Sequence, residues 1–262
     1  MSPFIHLVAD YGKSDPAFSE VVHRLLAEDP DIHVQTTAVP PLSTVATGFW
    51  IEQLGLHNPA FEDLFIYSNT APRTEDAGPQ RADEGGQLCY LTLETGVPVV
   101  AVDTGYNLSF VRDRIHEFRE IETPSTGTQF RSRDHFPKRV AELANGDTDA
   151  LGASRSIDEI PLKPESTVCH VDGYGNIKTS IRASEFDLDT DDITVELNTI
   201  TTEVPVRDTV SEVEEGTVGM VPGSAGGDDS YMELFLRGGS AAAEFDQPQP
   251  GDNITIVERN DP

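Results

Sequence analysis

The chain has 262 residues, with 46 acidic side chains against 18 basic ones and a formal net charge of −28 at pH 7. Such a surface repels phosphate backbones and anionic lipid, which argues against nucleic-acid and membrane partners. The length is sufficient for one large or two ordinary domains with a substantial core.

The acidic residues are spread along the chain, and lysine occurs only at Lys13, Lys138, Lys163 and Lys178. Solvated carboxylates keep a protein soluble in concentrated salt, so this composition predicts a cytoplasmic protein of a halophile, with an acidic interaction surface as the alternative. No basic segment precedes an apolar core near Met1, and no apolar run approaches the ~18 residues of a membrane span. The two cysteines lie in apolar runs without metal-ligand spacing, so we expect buried thiols and no metal site.

Strand and helix patterns alternate through the first 150 residues. Residues 4–9 form a continuous apolar run, which is typical of a buried parallel strand. Asp15 followed by Pro16 indicates a helix start. Further strands are predicted near 32–38, 63–68, 87–93 and 97–102, and further helices near 43–56, 107–118 and 135–145. Residues 1–150 are therefore predicted to form an α/β domain of the α/β/α sandwich type, with a central, mostly parallel sheet.

The pattern changes after residue 146. Residues 151–166 are polar and contain proline, which predicts a linker. Residues 167–262 contain short apolar runs separated by Gly, Asp and Pro, which predicts a small antiparallel β-barrel domain. Its strands are expected at 168–171, 177–182, 193–197, 217–221, 231–236 and 253–258.

Polar residues follow three of the predicted strands of the first domain. Asp10 ends the first strand, Asn69 and Arg73 follow the third in SNTAPR, and Asp103 follows the strand at 97–102. An open α/β sheet binds its ligands at this edge, where an aspartate can accept both hydroxyls of a ribose. Each aspartate can also simply cap its own turn.

Two further segments carry candidate site residues. In GTQFRSRDHFP, Phe130, Arg131 and Ser132 precede a helix that Asp134 can cap, and the alternative to a functional role is a capped helix start with exposed arginines. In VDGYGNIKTSI, a carboxylate and an amide oxygen suit an ammonium group, although the same pattern also forms a hairpin turn. That pair is Asp172 with Asn176.

Taken in order, FIHLVADYG, SNTAPR, VVAVDTGYNLSF, GTQFRSRDHFP and VDGYGNIKTSI resemble the S-adenosylmethionine (SAM) hydroxide adenosyltransferases and the related fluorinases and chlorinases. The resemblance implies a homotrimer acting on a small molecule, with each active site shared between neighbouring subunits and with SAM as substrate rather than cofactor. Asp10 would bind the ribose, and Asp172 with Asn176 the methionine ammonium. Asp103 agrees with the family motif, and Ser224 stands in the loop GSAGGDDS, where relatives bind the methionine carboxylate.

The hydrolases of this family use an aspartate, an arginine and a histidine on the attacking water. Here Asn69, or Tyr67 if the alignment shifts, stands at the aspartate position. Arg73 supplies the arginine, and Arg131 replaces the histidine. With Ser132, these are the expected catalytic residues for hydrolysis of SAM to adenosine and methionine.

Two alternatives remain open at the level of sequence. The halogenating relatives place a tyrosine and, three residues later, a threonine on this loop. Tyr67 and Thr70 reproduce that spacing, and Ser132 matches a serine that meets the halide. The second alternative is a protein that binds adenosine or SAM without catalysis, because two of the three hydrolase residues differ in type. No Gly-x-Gly-x-x-Gly follows a strand, which argues against a dinucleotide site.

Overall fold

A computed structural model of the chain describes residues 2–70, 86–123, 130–186 and 192–258. The chain divides into two compact units, unit 1 (Met1–Leu162) and unit 2 (Lys163–Pro262). No helix within the described ranges is both long and apolar enough to cross a membrane.

Unit 1 is built on a seven-stranded sheet with the order β2-β1-β3-β5-β4-β6-β7. Its strands are β1 (Phe4–Ala9), β2 (His33–Ala38), β3 (Leu64–Asn69), β4 (Leu88–Leu93), β5 (Pro98–Val102), β6 (Ile115–Ile121) and β7 (Leu151–Ser154). Strands β2, β1, β3 and β5 pair in parallel, and β4 pairs antiparallel with both β5 and β6. Because β6 therefore runs in the direction of β5, most strands of the sheet share one direction.

Four helices accompany this sheet in the described part of unit 1: α1 (Pro16–Glu28), α2 (Thr44–Glu52), α3 (Arg131–Asp134) and α4 (Phe136–Ala144). The Asp15 side chain accepts a hydrogen bond from Ala17 N at 2.8 Å, with Pro16 in the first turn of α1. Ser43 caps α2 in the same way, and a single π-helical turn, Gln53–His57, extends that helix. The predicted helix starts at 15–16 and near 43 are thus confirmed.

Successive residues of the central strands face opposite sides of the sheet, and each side has its own core. Phe65 and Tyr67 of β3 pack with residues of α1 and α4, including Leu25. Their neighbours Leu64 and Ile66 pack on the other side, with Ile51 of α2 and with residues 108–111. Helices cover both faces of the sheet, so the predicted α/β/α architecture is confirmed.

The predicted helix at 107–118 is wrong. Residues 103–111 form turns, and the chain then enters strand β6. Ile115, Phe118 and Ile121 are buried three residues apart, a spacing that resembles a helix. Ile115 and Phe118 share one core because the pairing of β6 with β4 is irregular between them. Ile121 packs in the core on the opposite side of the sheet, as the alternation of a strand requires.

Residues 151–154, assigned to the linker from sequence, form the edge strand β7 of unit 1. Ser154 pairs with Arg119, and Leu151 pairs with Ile121. The division between the units lies after Leu162, within the polar segment assigned to the linker from sequence.

Unit 2 contains a four-stranded sheet, β12-β13-β9-β8, and a three-stranded sheet, β11-β10-β14. The strands are β8 (Val168–Val171), β9 (Ile177–Arg182), β10 (Asp192–Leu197), β11 (Ile200–Pro205), β12 (Val218–Pro222), β13 (Tyr231–Leu236) and β14 (Ile254–Glu258), with one short helix, α5 (Ala241–Glu244). Single bridges, Val206 to Met220 and Thr167 to Asn253, join the two sheets at both edges around one apolar core. The small antiparallel barrel is thus confirmed, with β11 as a strand that the sequence patterns did not reveal.

Candidate functional site

Three of the predicted site residues lie at the carboxyl ends of neighbouring parallel strands. Asp10 follows β1, Asn69 ends β3, and Asp103 follows β5, in the order in which these strands stand in the sheet. The backbone N–H of Asp10 donates to the carbonyl of Asn69 at 3.4 Å. The sheet therefore brings these positions to one edge, where open α/β folds bind ligands.

The Asp10 carboxylate is oriented by the loop between β2 and α2. Its Oδ2 atom accepts a hydrogen bond from the backbone N–H of Leu42 at 2.9 Å. Leu42 has a φ of 63°, a left-handed conformation that is unfavourable for a side chain branched like leucine. The strained residue thus delivers a backbone donor to the carboxylate, which fixes its direction at the end of the strand.

The Asn69 amide binds a pair of tyrosine hydroxyls. Its Nδ2 atom donates to the Tyr11 hydroxyl at 2.6 Å and reaches the Tyr67 hydroxyl at 3.5 Å, the limit of a hydrogen bond. Tyr67 and Asn69 stand two residues apart on β3, so their side chains share one face of the sheet. Residues 11, 67 and 69 therefore form one hydroxyl–amide cluster at the strand ends.

Both phenols stay protonated at neutral pH. Burial raises the pKa of Tyr11 to about 12, against a smaller opposing effect of its hydrogen bond with Ser132 and with the Asp10 charge adding to the rise. Burial also raises the pKa of Tyr67 well above its ordinary value, because this side chain is completely inside the protein. The cluster therefore contains neutral hydroxyls, with Ser132 joined to it through Tyr11.

Thr70 is engaged inside the chain. Its hydroxyl lies 2.6 Å from that of Thr47, and Thr47 donates its own proton to the carbonyl of Ser43 at 2.9 Å. Because a hydroxyl has one proton and a carbonyl only accepts, Thr70 must be the donor toward Thr47. Thr70 and Tyr67, the pair with halogenase-like spacing, are both fully buried.

The two arginines of α3, Arg131 and Arg133, make different contacts. Arg131 is half-buried, donates to the carbonyl of Gly86 at 3.4 Å and stands 5.7 Å from the Phe136 ring. Arg133 instead pairs with Asp134 at 2.8 Å and stacks at 5.0 Å on Phe130, a ring that is 52% exposed. The N-cap residue of α4 is His135 rather than Asp134, which was expected from sequence, and Asp134 binds Arg133. Arg73 lies outside the described residues.

Asp103 is held in an ion pair. Its Oδ2 atom lies 2.7 Å from Arg155, which also binds Glu159 at 2.7 Å and lies 4.5 Å from the Phe118 ring. Arg155 follows β7, in the stretch that polar composition assigns to a linker. The carboxylate of Asp103 is thus tied to the sheet edge, which limits its freedom to meet a ligand.

In unit 2, Asp172 organises the tight turn between β8 and β9. Its Oδ1 atom accepts from the backbone N–H groups of Tyr174 and Asn176 at 2.9 and 3.0 Å, and its Oδ2 atom accepts from Asn176 Nδ2 at 2.9 Å. Burial alone would raise the pKa of Asp172, but these hydrogen bonds and Lys178 outweigh it and lower the pKa. Asp172 and Asn176 are therefore together, as expected, in an Asx-type turn around an ionised carboxylate.

Lys178 connects this turn to Ser224. Its Nζ atom lies 2.5 Å from Glu233, 3.3 Å from the Ser224 hydroxyl and 4.0 Å from Asp172. The Glu233 side chain is 7% exposed and that of Asp172 is 22% exposed, so Asp172 presents the accessible charge of the cluster. Asp229, in the same loop as Ser224, accepts hydrogen bonds from the backbone N–H and the hydroxyl of Ser184.

Residues 166–255, which include this cluster, match the family model described as the SAM hydroxide adenosyltransferase C-terminal domain. This part of the chain is therefore similar to the C-terminal domain of the SAM hydroxide adenosyltransferases. The Asp172 turn and the Lys178 cluster lie within the matched residues.

Solved structures with a similar fold extend over both units of the chain. An uncharacterized conserved protein from Thermotoga maritima is 20% identical, with a TM-score of 0.74 over 97% of this chain and 100% of that chain. A conserved hypothetical protein from Thermus thermophilus is also 20% identical, with a TM-score of 0.67 over 98% of this chain and 100% of that chain. At this identity the likeness shows the fold. No curated protein matches the chain.

Four residues of the chain were not singled out from the sequence: Tyr11, Thr47, Arg155 and Lys178. Tyr11 stands directly after Asp10, but nothing local indicates that its hydroxyl meets residue 69. Thr47, Arg155 and Lys178 likewise act through partners distant in sequence. Within the described ranges, no group of three or more His, Cys, Asp and Glu side chains is placed to hold a metal ion.

Proposed function

We propose that the protein hydrolyses SAM to adenosine and methionine by substitution at the ribose C5′ carbon. The observation that carries this proposal is the match of residues 166–255 to the C-terminal domain of the SAM hydroxide adenosyltransferases. The grouping of Asp10, Asn69 and the Tyr11 hydroxyl at the carboxyl edge of the unit 1 sheet supports it, because this edge suits a nucleoside.

The reaction needs little general acid–base catalysis. An oxygen lone pair of water forms the new bond to C5′, the C5′–S bond breaks, and its electron pair neutralises the sulfonium as methionine leaves. The proton of the attacking water passes to solvent. The leaving group needs no proton, and alignment of two reactants contributes about 7–11 kcal/mol, whereas a general base adds about 10²–10⁴-fold. An asparagine at position 69 is therefore compatible with turnover.

The proposed roles follow the chemistry of each group. Asp10, oriented by Leu42, accepts the ribose hydroxyls. Asn69, Ser132 and Arg131 surround the water, together with Arg73. Asp172 and Asn176 bind the ammonium of the methionine moiety, since Asp172 is ionised and partly accessible.

Water is favoured over chloride as the nucleophile. A halide accepts hydrogen bonds and needs donors, but the Thr70 proton is directed to Thr47. The Tyr67 side chain is completely buried, which keeps its hydroxyl away from an ion in solvent. The two residues with halogenase-like spacing are thus both turned into the protein. This donor arrangement supports hydrolysis as the reaction.

A single product analysis tests the proposal. The protein is incubated with SAM in concentrated potassium chloride and ¹⁸O-labelled water, and the nucleosides are resolved by mass. Adenosine carrying ¹⁸O at C5′ is the expected product. Formation of 5′-chloro-5′-deoxyadenosine would instead show that the protein transfers a halide. Unchanged SAM with measurable binding would show that the protein binds SAM without catalysis. Heat-denatured protein provides the baseline for spontaneous decay of SAM.

We further propose that the active assembly is a homotrimer that needs no cofactor. The family resemblance supports the trimer. The reaction itself supports the lack of a cofactor, because the sulfonium of SAM already activates the C5′ carbon. Light scattering in concentrated salt measures the assembly, and turnover after exhaustive dialysis against a chelator measures any need for a metal.

A further inference from the structure

We propose that Tyr11 is a positioning residue of the nucleophile site and that it acts through Asn69. The hydroxyl of Tyr11 takes an N–H of the Asn69 amide and thereby decides which end of that amide meets the nucleophile. This inference rests on the proposed function and deepens it, because it assigns the device that selects water over a halide.

The argument begins with the hydrogen-bonding capacity of the amide. An asparagine side chain has two N–H donors and one carbonyl acceptor. At Asn69 the Nδ2 atom points to two phenols, at 2.6 Å to Tyr11 and at 3.5 Å to Tyr67. With the nitrogen directed to the tyrosines, the carbonyl Oδ1 is the group that this amide can offer to a ligand.

Both phenols are neutral partners of the amide. Burial raises the pKa of Tyr11 to about 12 and raises the pKa of Tyr67 well above its ordinary value. Each hydroxyl oxygen therefore accepts from the Asn69 Nδ2 atom while keeping its own proton, and the contact of 2.6 Å to Tyr11 has the amide nitrogen on the phenol side.

The consequence is a choice between nucleophiles. A carbonyl oxygen accepts a hydrogen bond from water and so aligns a lone pair of that water, but it repels chloride, which has no proton to give. The neutral Asn69 thus keeps the acceptor that an aspartate would provide, without its negative charge. Tyr11 is half-buried and lies next to Asp10 in sequence, so it links this acceptor to the proposed ribose site.

Tyr11→Phe tests the proposal with little disturbance of the fold. The change removes one oxygen and keeps the ring, which packs edge-on against Phe18 with 5.1 Å between ring centroids. Tyr90→Phe is the matched control. Tyr90 packs on the same core, and its hydroxyl accepts from Thr92 at 3.2 Å, on a strand away from the cluster.

The measurements are kcat and KM for SAM, together with the ratio of adenosine to 5′-chloro-5′-deoxyadenosine in concentrated chloride. Loss of one positioning hydrogen bond is expected to lower kcat about tenfold in Tyr11→Phe, with KM nearly unchanged and a larger chlorinated fraction. Tyr90→Phe is expected to match the wild type. In an Asn69→Ala background, Tyr11→Phe should have no further effect, because the two residues act as one unit.

Three results would overturn the proposal: a wild-type kcat and product ratio in Tyr11→Phe, an equal loss in the Asn69→Ala background, or a rise in KM that accounts for the whole effect. Failure of the proposed function looks different, because the wild-type protein itself then forms no nucleoside product, and the role of Tyr11 falls with it. If the wild type turns over and Tyr11→Phe equals it, only the role of Tyr11 is lost.

Discussion

Asn69 Nδ2 donates a hydrogen bond to the Tyr11 hydroxyl at 2.6 Å, across 58 positions of sequence. The contact joins the end of the first strand to the end of the third, where these strands are neighbours in the sheet. It involves a neutral amide at the position where the resemblance to the SAM hydrolases leads us to expect a carboxylate, and the first prediction begins from that difference.

Asn69→Asp is expected to give the enzyme a base and a pH dependence that the wild type lacks. A carboxylate takes a proton from water only when ionised, so kcat should rise as the pH increases through its pKa. Burial at this position, which is 7% exposed, should raise that pKa above the usual value of about 3.9. Profiles of kcat against pH for both proteins measure this, and a flat profile for the variant would contradict it.

Asp10→Ala is expected to weaken nucleoside binding while leaving the fold intact. Hydrogen bonds to a charged group contribute about 1.5–3 kcal/mol, which corresponds to about a ten- to hundredfold rise in the Kd for adenosine. Asp15→Ala is the control, because Asp15 caps α1 and should lower Tm without changing Kd. Calorimetric titration with adenosine and 2′-deoxyadenosine separates the effects. Equal binding of the two nucleosides by the wild type would argue against a ribose contact.

Asp172→Asn should keep the turn and lose the charge, since an amide oxygen can still accept from Tyr174 N and Asn176 N. The folded pKa of Asp172 is lowered, so its contribution to stability is complete above the ordinary value of 3.8 and disappears as the pH falls through the folded pKa. The difference in unfolding free energy between wild type and variant should therefore shrink at acidic pH. Denaturant titrations across pH measure it, and a constant difference would contradict the assignment.

Lys178→Met is expected to destabilise the protein by about 3–5 kcal/mol, because it leaves the buried Glu233 carboxylate without its cation. The double variant Lys178→Met with Glu233→Gln should recover part of that loss. Lys138→Met serves as the control, since Lys138 is 60% exposed and its pair with Glu142 contributes about 0–1 kcal/mol. Chemical denaturation gives these values. If Lys178→Met and Lys138→Met lowered the unfolding free energy by the same amount, the burial of the Lys178–Glu233 pair would not add to its contribution to stability.

Stability should increase with salt concentration. The chain has a net charge of −28, so its carboxylates repel one another at low ionic strength. Salt screens this repulsion, since the distance over which charges interact falls from about 10 Å at 0.1 M to about 3 Å at 1 M salt. A gain of only 1 kcal/mol would raise Tm by roughly 2–4 °C in a protein of this size. Thermal scans in increasing potassium chloride measure the change, and a Tm that falls with salt would contradict the halophilic interpretation.

The parts of the structure that sequence could predict are those encoded by local patterns. The buried run at 4–9, the Asp15-Pro16 helix start and the position of Asp10 after a strand each have a signature within a few residues. The helix wrongly predicted at 107–118 shows the limit, because one pairing irregularity together with burial on both faces of β6 imitates helical spacing.

The candidate site was predicted in its positions but not in its contacts. Asn69 and Asp172 were identified, yet the Tyr11 hydroxyl beside Asn69 and the Lys178 ammonium beside Ser224 depend on which strands become neighbours. The contact of Asp103 also depends on long-range pairing. Its partner Arg155 follows β7, in a segment that was assigned to a linker because of its polar composition. Long-range pairing of this kind leaves no periodic signal in a single sequence.

The most direct test of the central claim is a crystal structure of the protein with adenosine and methionine. The account predicts that the Asp10 carboxylate binds both ribose hydroxyls, that Asn69 Oδ1 lies within reach of the oxygen on C5′, and that Asp172 binds the methionine ammonium. A nucleoside bound away from the carboxyl ends of β1 and β3, with Asp10 contacting only protein atoms, would contradict it.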